Sequence, residues 1–254
     1  MKRIVFISGA TSGIGAACAE KFAQAGFRLI LAGRRHDRLE SMVANFKNKY
    51  GDNFMSLPFD IRSLEQVNNA ICSLPEDWKH IDILVNNAGL AKGLSTLQDG
   101  NIDHWEQMID TNIKGLLYLT KAIAPDMIAR KSGHVINIGS IAGREVYANG
   151  NVYCATKFAV DALSKGMRID FVQHGVKVSQ IAPGAVETEF SIVRFDGDAE
   201  KAKNVYNGFQ PLSPADVADA VFYVASLPPH VNVNDLLLMP TAQAAAGVIH
   251  KVLE

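Results

Sequence analysis

Short apolar runs alternate along the chain with longer stretches whose apolar positions recur every three or four residues. Ile4-Val5-Phe6-Ile7 reads as a buried strand; Ile14, Cys18, Phe22 and Ala25 then mark one helical face, which Gly26 ends. Leu29-Ile30-Leu31-Ala32 reads as a second strand, and Leu39, Val43 and Phe46 give the next helix its apolar face. Phe54 to Phe59 predicts a third strand, Val67 and Ile71 a helix, and Ile83-Leu84-Val85 a fourth strand. A long helical stretch follows through Met108, Ile109, Leu116, Leu119 and Ile123. His134 to Ile138 makes a fifth strand, a helix spans about Val152 to Val172, and Val176 to Ile181 makes a sixth strand.

Strands that are apolar almost throughout need cover on both faces, which crossover helices provide in parallel sheets. The pattern therefore predicts an α/β fold: a single Rossmann-type domain over residues 1–254, with a doubly wound parallel sheet and helices on both faces. One segment breaks the rhythm. Glu187 to Ser213 is polar and mixed, and a long irregular connection in a compact domain is usually a lid or binding loop.

Composition adds mostly exclusions. With 25 Lys and Arg against 26 Asp and Glu, the net charge is close to zero, which suggests neither a nucleic acid nor an anionic membrane as partner. The apolar run after Met1-Lys2-Arg3 is too short for a signal sequence, and no stretch approaches the roughly 20 apolar residues of a membrane helix. Cys18, Cys72 and Cys154 form no CxxC pair and no zinc spacing, so no metal is expected. A sparse, odd cysteine count fits a reducing compartment, and a soluble cytoplasmic protein is the expectation.

The candidate chemistry begins at the first strand–helix junction, Ser8-Gly9-Ala10-Thr11-Ser12-Gly13-Ile14-Gly15. A glycine turn lets backbone approach a phosphate closely while the helix N-terminus offers free N–H groups. No Gly-Lys-Ser/Thr follows, which disfavours a nucleotide-hydrolase loop and leaves dinucleotide binding. An NAD site usually carries an acidic residue at the end of the second strand, to hold the ribose 2′-hydroxyl. Gly33-Arg34-Arg35 stands there instead. Guanidinium groups suit a 2′-phosphate through charge and forked donors, so the cofactor predicted is NADP.

Tyr153 and Lys157 are four apart on a predicted helix and share a face. A free tyrosine titrates near 10, and a neighbouring cation favours its phenolate. Ser140 follows the fifth strand, at the carboxyl edge where open α/β sheets bind ligands, placed to hold a substrate oxygen as charge develops there.

With these residues together, the chain resembles the short-chain dehydrogenase/reductase family over nearly all its length. Gly9-xxx-Gly13-x-Gly15 matches the family's cofactor turn, with Ser8 where many members have Thr. Asp60-Ile61 is similar to the adenine-contacting pair, Asn86-Asn87-Ala88-Gly89 to the motif closing the fourth strand, and Asn112 to the helix asparagine of a proton-relay water. Ser140, Tyr153 and Lys157 fall on the catalytic serine, tyrosine and lysine; Pro183-Gly184, Val186 and Thr188 resemble the segment that grips the nicotinamide carboxamide. The resemblance implies that Tyr153 exchanges the substrate proton, Lys157 lowers the tyrosine pKa and holds the nicotinamide ribose, and Ser140 orients the substrate. Thr11, Ser12 and Ile14 of the turn, and Asn87, Ala88 and Gly89, are expected to touch the cofactor.

The resemblance is strongest to the NADP-dependent 3-hydroxy acid dehydrogenases, which act on serine, allo-threonine and related acids and reduce malonic semialdehyde. Glu187 to Ser191, Val193-Arg194-Phe195 and the tail through Leu227–Asn232 and Met239-Pro240-Thr241 carry that likeness. Such acids need a cation for their carboxylate, and Arg144 and Arg194 are both candidates. A general carbonyl or keto-acyl reductase and a non-catalytic NADP-sensing protein are the alternatives. The family resemblance also implies a homotetramer, paired through helices at about Asp103–Arg130 and Val152–Val172.

Overall fold

The computed structural model describes residues 2–252, so Met1, Leu253 and Glu254, at the ends of the expected domain, lie outside the described residues. The first five predicted strands are β1 (Ile4–Ser8), β2 (Arg28–Gly33), β3 (Phe54–Pro58), β4 (Ile83–Asn86) and β5 (Gly133–Ile138), and the sixth is β6 (Val176–Pro183). They join β7 (Asp235–Leu238) in one seven-stranded sheet of order β3-β2-β1-β4-β5-β6-β7, parallel at every pairing. The chain runs outward from β1 to β3, then returns to start β4 on the other side of β1. That reversal opens a crevice above the carboxyl ends of β1 and β4, where this class of sheet binds ligands.

Strand residues alternate between two cores. Val5, Ile7, Leu29, Leu31, Ile83 and Val85 pack on one face, under α1 (Gly13–Gln24), α2 (His36–Tyr50) and α9 (Pro214–Ser226). Ile4, Phe6, Ile30, Ala32 and Leu84 pack on the other, under α3 (Leu64–Cys72), α5 (Leu116–Ala129) and α6 (Asn151–Phe171). Each buried Val, Leu, Ile or Phe among them contributes about 1.5–3 kcal/mol relative to exposure, which is why the strands are apolar on both faces.

Three departures from the sequence pattern matter for the site. The long helical stretch is α4 (Ile102–Ile109) followed by α5, joined through a π-helical segment at Asp110–Gly115 that contains Asn112. The Glu187–Ser213 connection is not irregular: Thr188 caps α7 (Glu189–Arg194) by accepting from Phe190 N, and Asp198 caps α8 (Ala199–Asn204) by accepting from Lys201 N. Beyond β7, an antiparallel hairpin of β8 (Gln243–Ala245) and β9 (Val248–Ile249) reaches back over the crevice.

Candidate active site

The crevice holds a cavity of about 480 Å³, a size suited to an extended organic ligand. Its walls come from the glycine turn, the ends of β2 to β6, α6, α7 and the β8–β9 hairpin.

The glycine turn is built against β4. Ser8 Oγ accepts from Asn87 N at 3.1 Å and Ala88 N at 3.0 Å, while Asn87 Nδ2 donates to the carbonyls of Ser8 and Gly9. This fit leaves no room for side chains. A Cβ at Gly15 would lie 2.3 Å from the Gly9 carbonyl, and Gly9 itself has φ +66. Ser12 precedes α1 but makes no side-chain cap, and the first turn carries no acidic residue. The open N–H groups at Gly13, Ile14 and Gly15 therefore form an anion site of the kind a pyrophosphate occupies.

Arg34 and Arg35 line the same end of the cavity, with Asp60 and Ile61 beside them. Arg34 makes no hydrogen bond among the described residues, whereas Arg35 donates to Thr11 Oγ1 and Ser12 Oγ on the turn. Asp60 is held by Arg62 at 2.6 Å. Two guanidinium groups, a bare helix N-terminus and glycines packed against backbone are a donor set that suits a phosphorylated dinucleotide.

At the other end, Tyr153 and Lys157 project from α6 and Ser140 from the turn after β5, and all three line the cavity. Lys157 is buried and donates from Nζ to the Ile138 carbonyl at 2.9 Å; burial lowers its pKa to about 8. Its ammonium sits 6.0 Å from the Tyr153 ring centroid. Burial, with Tyr147 alongside, pushes the Tyr153 hydroxyl well above its ordinary value, while Arg194 and Ser140 pull it down. Arg194 thus joins Lys157 as a second cation at the Tyr153 ring, one that also favours the phenolate.

Arg194 projects from the end of α7 into this aromatic corner. Its guanidinium carbon lies 5.0 Å from the ring centroid of Tyr153, 5.2 Å from Phe190 and 5.8 Å from Tyr147. Nη2 donates to the Tyr147 hydroxyl at 2.7 Å, and Nε is buried with no hydrogen-bond partner among the described residues. Arg144 stands differently. It pairs with Asp235 and does not line the cavity, so the structure separates the two arginines that the sequence left equal.

Asn112 lies in the π-helical segment between α4 and α5. Its Oδ1 accepts from Leu90 N at 2.9 Å, and its Nδ2 donates to the Leu90 carbonyl and to Thr156 Oγ1. Thr156 in turn donates to the Tyr153 carbonyl at 2.8 Å. The side chain is a buried brace between the β4 loop and α6.

Pro183, Gly184, Val186 and Thr188 line the cavity between these two ends. Phe190 and Tyr206 of the 187–213 segment also line it, as do Tyr147 and Gln243, which no sequence motif marked. Neither sits at a spacing that signals a site, because Tyr147 arrives from the loop before α6 and Gln243 from the C-terminal hairpin.

The short chain dehydrogenase family model matches residues 3–198. An NADP-dependent 3-hydroxy acid dehydrogenase, YdfG, of Salmonella typhi is 46% identical over 250 residues, spanning 98% of this chain and 99% of that protein. A serine 3-dehydrogenase of Rhizobium radiobacter is 43% identical and covers 97% of each chain. The closed form of a serine dehydrogenase complexed with NADP+ matches with a TM-score of 0.92 at 45% identity, over 98% of this chain and all of that one. With its sheet order, glycine turn and Ser140–Tyr153–Lys157 cluster in one crevice, the chain belongs to the short-chain dehydrogenase family and is an oxidoreductase acting on CH–OH groups.

Proposed function

We propose that the enzyme uses NADP to oxidise the 3-hydroxyl of small 3-hydroxy acids such as serine, allo-threonine or 3-hydroxypropionate, and runs the reverse reaction on malonic semialdehyde. The observation that carries this reading is Arg194. A guanidinium with a buried, unpartnered Nε stands over the Tyr153 ring, so a carboxylate can be held a few bonds from the oxygen whose proton Tyr153 takes.

NADP, when bound, supplies the hydride acceptor at its nicotinamide ring. Gly9 and the N–H groups of Gly13, Ile14 and Gly15 would hold the pyrophosphate, with Thr11 and Ser12 at its flank and Arg34 and Arg35 at the 2′-phosphate. Asp60 and Ile61 would meet the adenine; Asn87, Ala88 and Gly89 the ribose side; and Pro183, Gly184, Val186 and Thr188 the carboxamide. Tyr153 accepts the hydroxyl proton as the carbon gives up its hydride, and Lys157 and Arg194 favour the phenolate before transfer. Ser140 orients the substrate oxygen. Lys157, fixed by Ile138 and titrating near neutrality, holds the nicotinamide ribose and can accept the proton onward. Asn112 keeps α6 in register with the β4 loop. The segment at 187–213 closes over the acid and excludes water.

A homotetramer belongs to the same proposal. Leu117 on α5 and Phe158 and Ile169 on α6 are exposed apolar residues, as is Val172 just beyond it, and pairing these helices would cover them. Three free thiols fit a cytoplasmic setting. The test is a panel of 3-hydroxy acids, matched alcohols and aldehydes with NADP and NAD. Rates highest on the acids with NADP support the reading; preference for uncharged carbonyls makes the enzyme a general reductase instead.

A further inference from the structure

The first residue of α7 places a carboxylate inside the cofactor half of the cavity. Glu189 lines that cavity with Arg34 and Arg35. It accepts from Arg35 Nη1 at 2.9 Å on one oxygen and from Arg38 Nη1 at 2.9 Å on the other. The two arginines hold its carboxyl below the ordinary range, so it is an anion at neutral pH. This contact joins α2 to the helix that carries Phe190 and Arg194, across more than 150 residues of sequence.

The donors of Arg35 can be counted. A guanidinium has five N–H groups. Nε donates to Thr11, Nη2 to Thr11 and Ser12, and Nη1 to Glu189, which leaves one. The free N–H is the second one on Nη1, so releasing Glu189 opens the whole of that nitrogen to a phosphate, while the hydroxyls of Thr11 and Ser12 belong to the turn itself. A carboxylate and a phosphate in contact with one guanidinium also repel each other. Arg38 supplies the alternative, because it already holds the opposite oxygen of Glu189 and can keep it when Arg35 turns.

We propose that Glu189 competes with the 2′-phosphate of NADP for Arg35, and so sets how tightly the cofactor is held and how fast it leaves. This rests on the reading that Arg34 and Arg35 meet the 2′-phosphate. NAD carries a hydroxyl at that position and does not enter the competition. Glu189 thereby acts on the ratio between the two cofactors, and its location at the start of α7 links that ratio to the segment bearing Arg194.

The test is the dissociation constant of NADPH and of NADH, read from nicotinamide fluorescence, for the wild type, Glu189→Gln and Glu189→Ala. Removing the anion should tighten NADPH by about threefold or more at low ionic strength, in the range of one exposed ion pair, with the gain shrinking as salt rises. NADH affinity should stay within about twofold, and NADPH dissociation should slow in stopped flow. Unchanged or weaker NADPH binding in both variants, or equal tightening of NADH, overturns the competition. Arg35→Ala separates the premise from the proposal. If it weakens NADPH selectively while Glu189→Gln has no effect, the arginine reading stands and the competition falls. If Arg35→Ala leaves NADPH binding intact, the arginine reading itself falls, and the competition with it. In the double variant Arg35→Ala/Glu189→Gln the gain from removing Glu189 should disappear, the coupling that a direct contact requires.

Discussion

Replacing Arg194 separates recognition of an acid from general support of the site. Among the described residues the guanidinium has one hydrogen bond, to Tyr147, and a buried Nε without one. A substrate carboxylate would take a charge-assisted bond from it, worth about 1.5–3 kcal/mol, and the residue is only partly buried, so the lower half of that range applies. Arg194→Ala should therefore lower kcat/KM for a 3-hydroxy acid by about tenfold to fiftyfold, mostly through KM. A neutral alcohol or aldehyde of matched length should lose much less. The variant should also shift the rising limb of the oxidation pH profile to higher pH, because Arg194 is a cation that favours the Tyr153 phenolate. That shift applies to charged and neutral substrates alike and is read separately from the KM effect. Arg194→Lys keeps the charge without the fork and should fall between. Arg144→Ala is the control, since Asp235 holds Arg144 outside the cavity. Initial rates of NADPH formation across pH measure all of this. Equal losses on acids and neutral substrates would show that Arg194 supports the lid or the aromatic corner and not the carboxylate.

Tyr153→Phe keeps the ring against Phe190 but removes the ionisable hydroxyl; turnover should fall at least about a hundredfold while NADP affinity, measured by calorimetry, changes little. Near-normal turnover of the folded variant would remove Tyr153 from the proton-transfer role. Gly15→Ala should destabilise the fold by about 1–3 kcal/mol and abolish dinucleotide binding, because its Cβ meets the Gly9 carbonyl and Asn87 Nδ2; a wild-type melting curve would refute this. His134 is buried with Nε2 2.8 Å from Ser179 Oγ, and burial, helped by Lys177 and Arg3, lowers its pKa to about 3. The folded state thus binds this proton more weakly than the unfolded chain does. The stability it contributes is present above about pH 6.5 and is lost progressively as pH falls toward 3. Between pH 7.5 and 4.5 the loss is about 2–3 kcal/mol, so His134→Gln should show a flatter acid limb in urea denaturation; an identical slope would sink the assignment.

The sheet and the cofactor turn were legible because their signals are local. Strands buried on both faces must be apolar throughout, and the turn's glycines follow β1 directly in sequence, whatever packs above them. Ser140, Tyr153 and Lys157 were legible through order and spacing, since a four-residue step on α6 fixes a shared face. β7 and the β8–β9 hairpin were not. Their strands are short and half-exposed; Leu236-Leu237-Leu238 is too brief a run to mark β7 by itself, and β7 exists through its pairing with β6. α7 and α8 are single short helices held by Thr188 and Asp198 caps, too brief to show a period. The roles of the charged residues lay furthest from the sequence. Arg144 and Arg194 differ only in what stands beside them: Asp235 on β7 neutralises one, and the rings of Tyr147, Tyr153 and Phe190 leave the other's Nε unsatisfied. Asn112 and Lys157 likewise find their partners, Leu90 and Ile138, across elements distant in sequence. Periodicity records which face of an element is buried, because burial acts on each residue alone. Pairing of charges and amides depends on which elements the fold brings together, and that is decided only by the tertiary structure.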